Sequence, residues 1–404
     1  MWLKSALSDT YANKTGKKQL MTYKDNDGKP VLTARPNRSG YFALSSLQAF
    51  ISSELEPYNQ KECETPVILD FTHIRMWDIA ALLWLVVALH HYQHNTSLNF
   101  SLCLPGSEYA DCADFLDDYD RSGDFLRRWR FDLALANIVR NPKTLLVPEQ
   151  EDYFDEDGEP RRFYKVSKRA DERGLLHKLV SRSLVEIKNL ANINSDGQAA
   201  VTSERITDCV TSFQSERMGD VLHSQCGIDK RKSDLFADHL FTEAVVNVYD
   251  HPQATIGMVA ISVSVPTNEL ILAVVDNGLS IPETLWSRYY HDHKHDNSLI
   301  SHLSELYDPK TVPSEVKAKV TAYATIAGVT SKSTCEATGD KIPGMGLTYI
   351  KEDAIDEFGG KVRILTDSVC LRFSGSSKNE PEADAWPHPW QGNLLRISIP
   401  LDSC

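Results

Sequence analysis

His239 to Pro252, HLFTEAVVNVYDHP, is the stretch on which the reading of this chain turns. It has few helix breakers before its final proline, and Glu243, Asn247 and His251 recur at intervals of four. A helix stacks such residues on one face, here a polar stripe on a segment otherwise rich in Leu, Phe, Ala and Val. A carboxylate beside a carboxamide with apolar backing suits a held water and a magnesium ion, which takes one or two protein oxygens and keeps several waters. A helix cap followed by a solvated stripe explains the same spacing, so the run alone leaves both readings open.

Two further runs lie downstream. Glu269 to Val275, ELILAVV, is an apolar, β-branched strand, and it stops at Asp276-Asn277-Gly278 within VVDNGLSIP. An acid at such a strand end can accept a hydrogen bond from an exocyclic amine, and Gly278 lets a flat ring approach the backbone; an ordinary strand-ending turn fits as well. The last run, GDKIPGMGLTYI (Gly339 to Ile350), places Gly344 and Gly346 before a helical pattern. Glycines at a helix start leave backbone N–H groups open toward an anion. The spacing is neither that of a GxxxxGK[ST] loop nor that of a dinucleotide fingerprint after a strand.

In this order the three runs resemble the GHKL ATPase family, which includes gyrase, the heat-shock chaperone, histidine kinases and MutL. The resemblance spans roughly residues 235 to 401 and implies a Bergerat-type ATP-binding sandwich with ATP and magnesium as cofactors. It implies that Glu243 polarises the attacking group, that Asn247 ligates magnesium and that Asp276 reads adenine beside Gly278. Gly344, Gly346 and Leu347 would open the phosphate-binding helix. Ser280 stands where the family usually has a second glycine, within the expected nucleotide contacts. The resemblance also makes Pro282 to Pro343 a lid over the phosphates, with Thr330, Ser331 and Lys332 supplying hydroxyls and a cation suited to phosphate. A polar turn ahead of the glycines is the plainer reading of that run.

Earlier in the chain, Lys29 to Ala34, Pro66 to Phe71 and Ser97 to Leu104 read as strands, with helices over Ser45 to Leu55 and Asp78 to His91. The second helix is apolar nearly all round. Strands alternating with helices imply an α/β layer. Val67 to Leu89, VILDFTHIRMWDIAALLWLVVAL, resembles the STAS domain of anti-sigma-factor antagonists, over roughly residues 20 to 140. In phosphorylatable members a hydroxyl follows the Asp of the turn; here the matching position is Ala80. The resemblance therefore implies a docking or sensing domain that the usual phosphoswitch does not operate.

The fold class expected is α/β, built as α+β two-layer sandwiches: a STAS-like domain over 1–145, a linker and connecting helix over 146–200, and the ATP-binding domain over 201–404. Val147 to Pro160 is acidic and turn-rich, a solvated linker or one face of a charge pairing with the basic run after it. Leu175 to Leu190 is amphipathic and reads as a connecting helix, a dimer seam or the first helix of the C-terminal layer, which leaves a homodimer open. Asn379 to Pro389, rich in proline and acids, reads as a surface loop.

Composition narrows the classes further. At 404 residues the chain has room for two domains, and its net charge of −13 argues against a nucleic-acid groove as the main surface. The cysteines are widely spaced with no CxxC pair, as expected of thiols in a reducing cytoplasm. The N-terminus lacks the pattern of a secretion signal, and Ile79 to Leu89 is too short to span a bilayer, so a cytoplasmic protein without a membrane partner is expected. HDHKHDN, His291 to Asn297, reads as a solvated loop in preference to a zinc site, and no recognisable phosphoacceptor helix precedes the C-terminal domain, His177 being the only candidate, so histidine autokinase activity is not expected.

The function expected is that of a Mg-ATP-binding regulator that hydrolyses ATP slowly, or transfers its phosphoryl group, to switch a signalling or partner-binding state. A protein partner would dock on the STAS-like domain. A serine/threonine kinase acting on a partner in trans and a non-hydrolysing nucleotide sensor are the alternatives.

Overall fold

Apolar strands separated by turn residues pair wherever their buried faces can meet, and in this chain they pair into two larger sheets. The computed structural model describes residues 23–24, 30–36, 41–58, 67–71, 74, 76–95, 98, 100–103, 145–146, 182–193, 199–215, 218–250, 254–264, 267–291, 311–327 and 346–401. They form a mixed helix-and-strand structure.

The N-terminal sheet has the order β1 (Tyr23–Lys24), β2 (Pro30–Thr33), β4 (Val67–Asp70), β6 (Phe100–Cys103), β7 (Leu145–Leu146). Only the β1–β2 pair is antiparallel; the others run parallel. Two short strands, β3 (Tyr41–Phe42) and β5 (Met76–Trp77), pair in parallel beside it. Helix α1 (Leu44–Phe50) continues through a wider turn, Ile51–Leu55. Helix α2 (Ile79–Asn95) begins where Asp78 Oδ1 accepts the amides of Ala80 at 2.9 Å and Ala81 at 3.3 Å, satisfying two of its open donors.

The second sheet is antiparallel, in the order β13 (Lys361–Phe373), β14 (Glu382–Pro400), β12 (Glu269–Asp276), β11 (Gly257–Ser264), β8 (Arg182–Asn189). A small pair, β9 (Ala191–Ile193) and β10 (Ala199–Val201), forms its own ladder beside the start of β11, where the Val201 amide donates to the Ala254 carbonyl at 2.9 Å. One face of this second sheet carries helices. These are α3 (Ser203–Ser215), α4 (Met218–Cys226), α5 (residues 230–250), α6 (Ile281–His291), α7 (Ser314–Ala327) and α8 (Gly346–Glu352), the last continuing as Asp353–Glu357. Their apolar residues close one core with Val259, Leu272, Val274, Leu395 and Ile397.

The opposite face packs on α2, which explains why that helix is apolar all round. Ile256, Met258, Ala260, Ile271, Ala273, Val275 and Leu394 share a core with α2 and with Leu32, Val67, Leu69, Phe100 and Leu102 of the N-terminal sheet. Alanines on both partners, Ala80, Ala81 and Ala88 against Ala260 and Ala273, leave room for close approach of α2 to β11, β12 and β14. A helix with no polar stripe needs apolar cover on every side, and here it has it.

Two expectations fail. The helix read over Leu175 to Leu190 is β8 from Arg182 onward: Val185 pairs with Ile261 and Lys188 with Val259. Val185-Glu186-Ile187-Lys188 alternates with period two as well as fitting a helix, and the open edge of β11 selects the strand. The connector thus supplies the last strand of the C-terminal sheet. The surface loop read over Asn379 to Pro389 lies in β14 from Glu382 on, with Val369 opposite Ala385 and Cys370 opposite Asp384; Trp386 is buried. The acidic and proline content was misleading because β13 offers a long partner, reached through a register shift at Asp367, whose φ is +51°.

Candidate functional site

Helix α5 positions the first pair of residues. Asp229 caps it by accepting the amides of Arg231 at 3.0 Å and Lys232 at 3.3 Å. Phe236–Leu240 form a π-type turn within it, and such turns often mark functional segments of helices. Stacking of Phe241 on Phe213, with centroids 3.7 Å apart, holds the following turns against α3. Glu243 and Asn247 then lie one turn apart on the side that meets α8.

The contact with α8 is close at Gly346. A Cβ there would sit 3.0 Å from Asn247 Oδ1, 3.2 Å from its Nδ2 and 3.3 Å from Glu243 Oε2. The last glycine of the run therefore lies against the carboxylate and carboxamide anticipated from the helix stripe, and a side chain there would displace them. Asn247 Nδ2 is buried and has no hydrogen-bond partner among the described residues. Thr348, two residues on, donates to the Thr325 carbonyl at 2.9 Å and ties α8 to α7.

The end of β12 supplies the third group. Asp276 is 3 % exposed, and its Oδ1 accepts the Gly278 amide at 2.8 Å, an Asx turn that holds the loop tight. Asn393 Nδ2 lies 3.2 and 3.3 Å from the two carboxylate oxygens and donates to the Leu279 carbonyl at 3.0 Å. Thr366 donates to Asn393 Oδ1 at 2.7 Å, and the Ile281 amide reaches both Thr366 Oγ1 at 2.9 Å and Asn393 Oδ1 at 3.1 Å. These bonds from Gly278 and Asn393 fix the orientation of the Asp276 carboxylate at the mouth of the turn. Asn277 works on the other side, accepting the amides of Thr255 at 2.8 Å and Ile256 at 2.7 Å.

Asn247, Asp276 and Leu347, one from each of the three runs, line a single cavity of about 30 Å³ walled by Val274, Ile281, Leu395 and Asn393. That volume suits a water or two and is less than a purine needs, so a ring requires the lining strands and helices to move apart. Apolar walls with a few polar groups at fixed positions are the usual make-up of a small-molecule site. Among the described residues no group of three or more His, Cys, Asp and Glu could hold a metal. Asn247, with Glu243 beside it, offers one or two protein oxygens, a donor set that magnesium accepts together with waters and ligand oxygens.

Ser280 belongs to the scaffold. It is fully buried, its hydroxyl donates to Glu283 Oε2 at 2.7 Å, and the Glu283 amide returns to Ser280 Oγ at 3.3 Å. This is a capping box that starts α6, legible in the spacing of Ser280-Ile281-Pro282-Glu283. Asn393, Thr366 and Gly392 were also missed. Gly392, at φ +111°, admits no side chain, since a Cβ would lie 2.2 Å from the Asp276 carbonyl oxygen. The one available signal was polar residues interrupting apolar strands at Thr366 and Asn393. His251, Thr330, Ser331, Lys332, Gly344, His177 and 292–297 lie outside the described residues.

No helix among the described residues is long and apolar enough to cross a membrane. No family model matches the chain, and comparison with curated proteins found no match.

Proposed function

We propose that the C-terminal layer is a Mg-ATP site of the GHKL type, a Bergerat-like sandwich, and that the N-terminal layer is a STAS-like regulatory domain in a cytoplasmic signalling protein. The observation that carries this reading is the convergence of Asn247, Asp276 and Leu347 on one cavity, with Glu243 and Asn247 against Gly346. Asp276, oriented by Asn393 and Gly278, accepts the exocyclic amine of adenine, and Val274, Ile281 and Leu347 flank the ring. Asn247 holds the magnesium ion, which neutralises phosphate charge when bound. The amides at the start of α8 face the phosphates, and the resemblance adds Gly344, Thr330, Ser331 and Lys332 as further phosphate contacts. Glu243 takes the proton of the attacking water or hydroxyl.

Slow hydrolysis or phosphoryl transfer would switch the state of the N-terminal layer or its protein partner. Transfer in cis to the start of α2 is disfavoured, because Ile79, Ala80 and Ala81 carry no hydroxyl and are buried beside the C-terminal sheet. A kinase reading therefore needs an acceptor in trans.

Titration calorimetry with Mg-ATP tests the site, and phosphate release measured beside radiolabel transfer separates the activities. Binding that Asp276→Asn weakens supports the reading, and unchanged affinity in that variant removes the adenine assignment. Free phosphate alone identifies an ATPase, labelled protein a kinase, and binding without turnover a sensor.

A further inference from the structure

Strands β12 and β14 carry more than the candidate site. Asp276 pairs with Asn393 in their register and, three positions along, Ala273 pairs with Arg396. Side chains alternate across a sheet, so Asn393 serves the cavity and Arg396 projects from the opposite face toward the N-terminal layer. There its Nη2 lies 3.2 Å from Asp78 Oδ2 and 4.0 Å from Glu269 Oε2, and it also donates to Ser398 Oγ. Asp78 Oδ2 accepts Tyr41 Oη at 3.0 Å while Oδ1 caps α2. The side chains of Asp78 and Arg396 are 7 % and 14 % exposed.

We propose that this clasp couples the candidate nucleotide site to the N-terminal layer: the paired ends of β12 and β14 transmit a change at Asp276 and Asn393 to Arg396, and through Asp78 to the first turn of α2. Three features support it. Hydrogen-bonded antiparallel strands move together, so a shift that lets a ring in beside Asp276 carries Arg396 with it. Asp78 has both oxygens engaged, one in the clasp and one in the cap, so loss of Arg396 also loosens the Ala80 and Ala81 amides. Val275, Ala273 and Leu394 pack in the same core as α2, leaving no solvent layer to absorb the motion. The inference rests on the nucleotide reading above.

The test uses the full chain. Hydrogen exchange at the Ala80 and Ala81 amides is followed with and without Mg-ATP, and ATP affinity is measured in wild type, Arg396→Met and Tyr41→Phe. Tyr41→Phe removes one hydrogen bond to Asp78 and leaves the C-terminal sheet intact, so it serves if the arginine variant fails to fold. Saturating Mg-ATP is expected to change wild-type exchange at these amides by about fivefold or more, the lower end of measured coupling factors. Linkage is reciprocal, so weakening the clasp should alter ATP affinity and diminish that response. ATP binding to wild type with no change at Ala80 and Ala81 overturns the coupling and leaves the nucleotide site standing. Variants that melt earlier but keep wild-type affinity and response overturn it too, reducing the clasp to a structural pair. Absence of ATP binding in wild type overturns both.

Discussion

The two faces of the C-terminal sheet handle buried polarity in opposite ways. On the helix-bearing face, Asp276, Asn393 and Thr366 form a network around a cavity into which Asn247 brings a donor that has no partner among the described residues. On the face toward α2, Tyr41 and Arg396 both bond Asp78 inside a packed core, Arg396 across the layer boundary and with its Nε unpartnered among the described residues. Polar groups that face a cavity are arranged for a ligand; those that close on each other specify how two layers fit. Burial by itself raises the pKa of Asp78, but Arg396, Tyr41 and the Ala81 and Ala80 amides outweigh it and hold the carboxyl below its usual range. Tyr41 shifts upward, through burial first and then the neighbouring carboxylate.

The outer face should register most strongly in stability and the inner face in ATP binding and turnover. Arg396→Met leaves Asp78 buried without its cation, and a broken buried pair costs about 3–5 kcal/mol. Denaturant unfolding should show that loss, and a change under 1 kcal/mol would mean that water reaches Asp78. Glu243→Ala on the inner face should instead keep ATP affinity within a few-fold and reduce turnover by roughly 10² or more, with the melting temperature unchanged. Asn247→Ala should weaken binding and turnover together, with partial recovery in excess magnesium. Small, equal effects in both inner-face variants would take α5 out of the site.

Asp276→Asn should weaken ATP binding by roughly 1.5–3 kcal/mol, read by calorimetry, since a charged acceptor is lost. The outer face should also respond to acid. Asp78 stays ionised in the folded protein at pH values where the unfolded chain, near the ordinary value of about 3.9, has taken up its proton. Its contribution is complete above that value and is lost as pH falls through the lowered folded value. Urea midpoints of wild type should therefore drop more steeply below about pH 4 than those of Asp78→Asn. The smallest effect is expected at Ser280→Ala, about 1 kcal/mol of stability from the lost cap, with ATP affinity retained. A large loss of affinity there would return Ser280 to the ligand.

Local pattern was enough for α2, α5 and the β11–β12 hairpin. Each rests on interactions between near neighbours: the Asp78 and Asp229 caps, the four-residue stripe of Glu243 and Asn247, and a turn at Asn268, which takes φ +49°. The same chemistry drew attention to Asp276 and the Gly346-Leu347 step, each common enough alone and informative through its order after the helix stripe. Tertiary structure decided what depends on a distant partner. Arg182–Asn189 is a strand because β11 has an edge to fill, and Glu382–Pro389 extends because β13 runs beside it. Asn393 and Thr366 acquire meaning only when β13, β14 and β12 lie in register, which sets a carboxamide against a carboxylate separated from it by more than a hundred residues. Asp78 and Arg396, farther apart still, meet only because α2 has apolar residues on every side and therefore needs a second sheet to cover it.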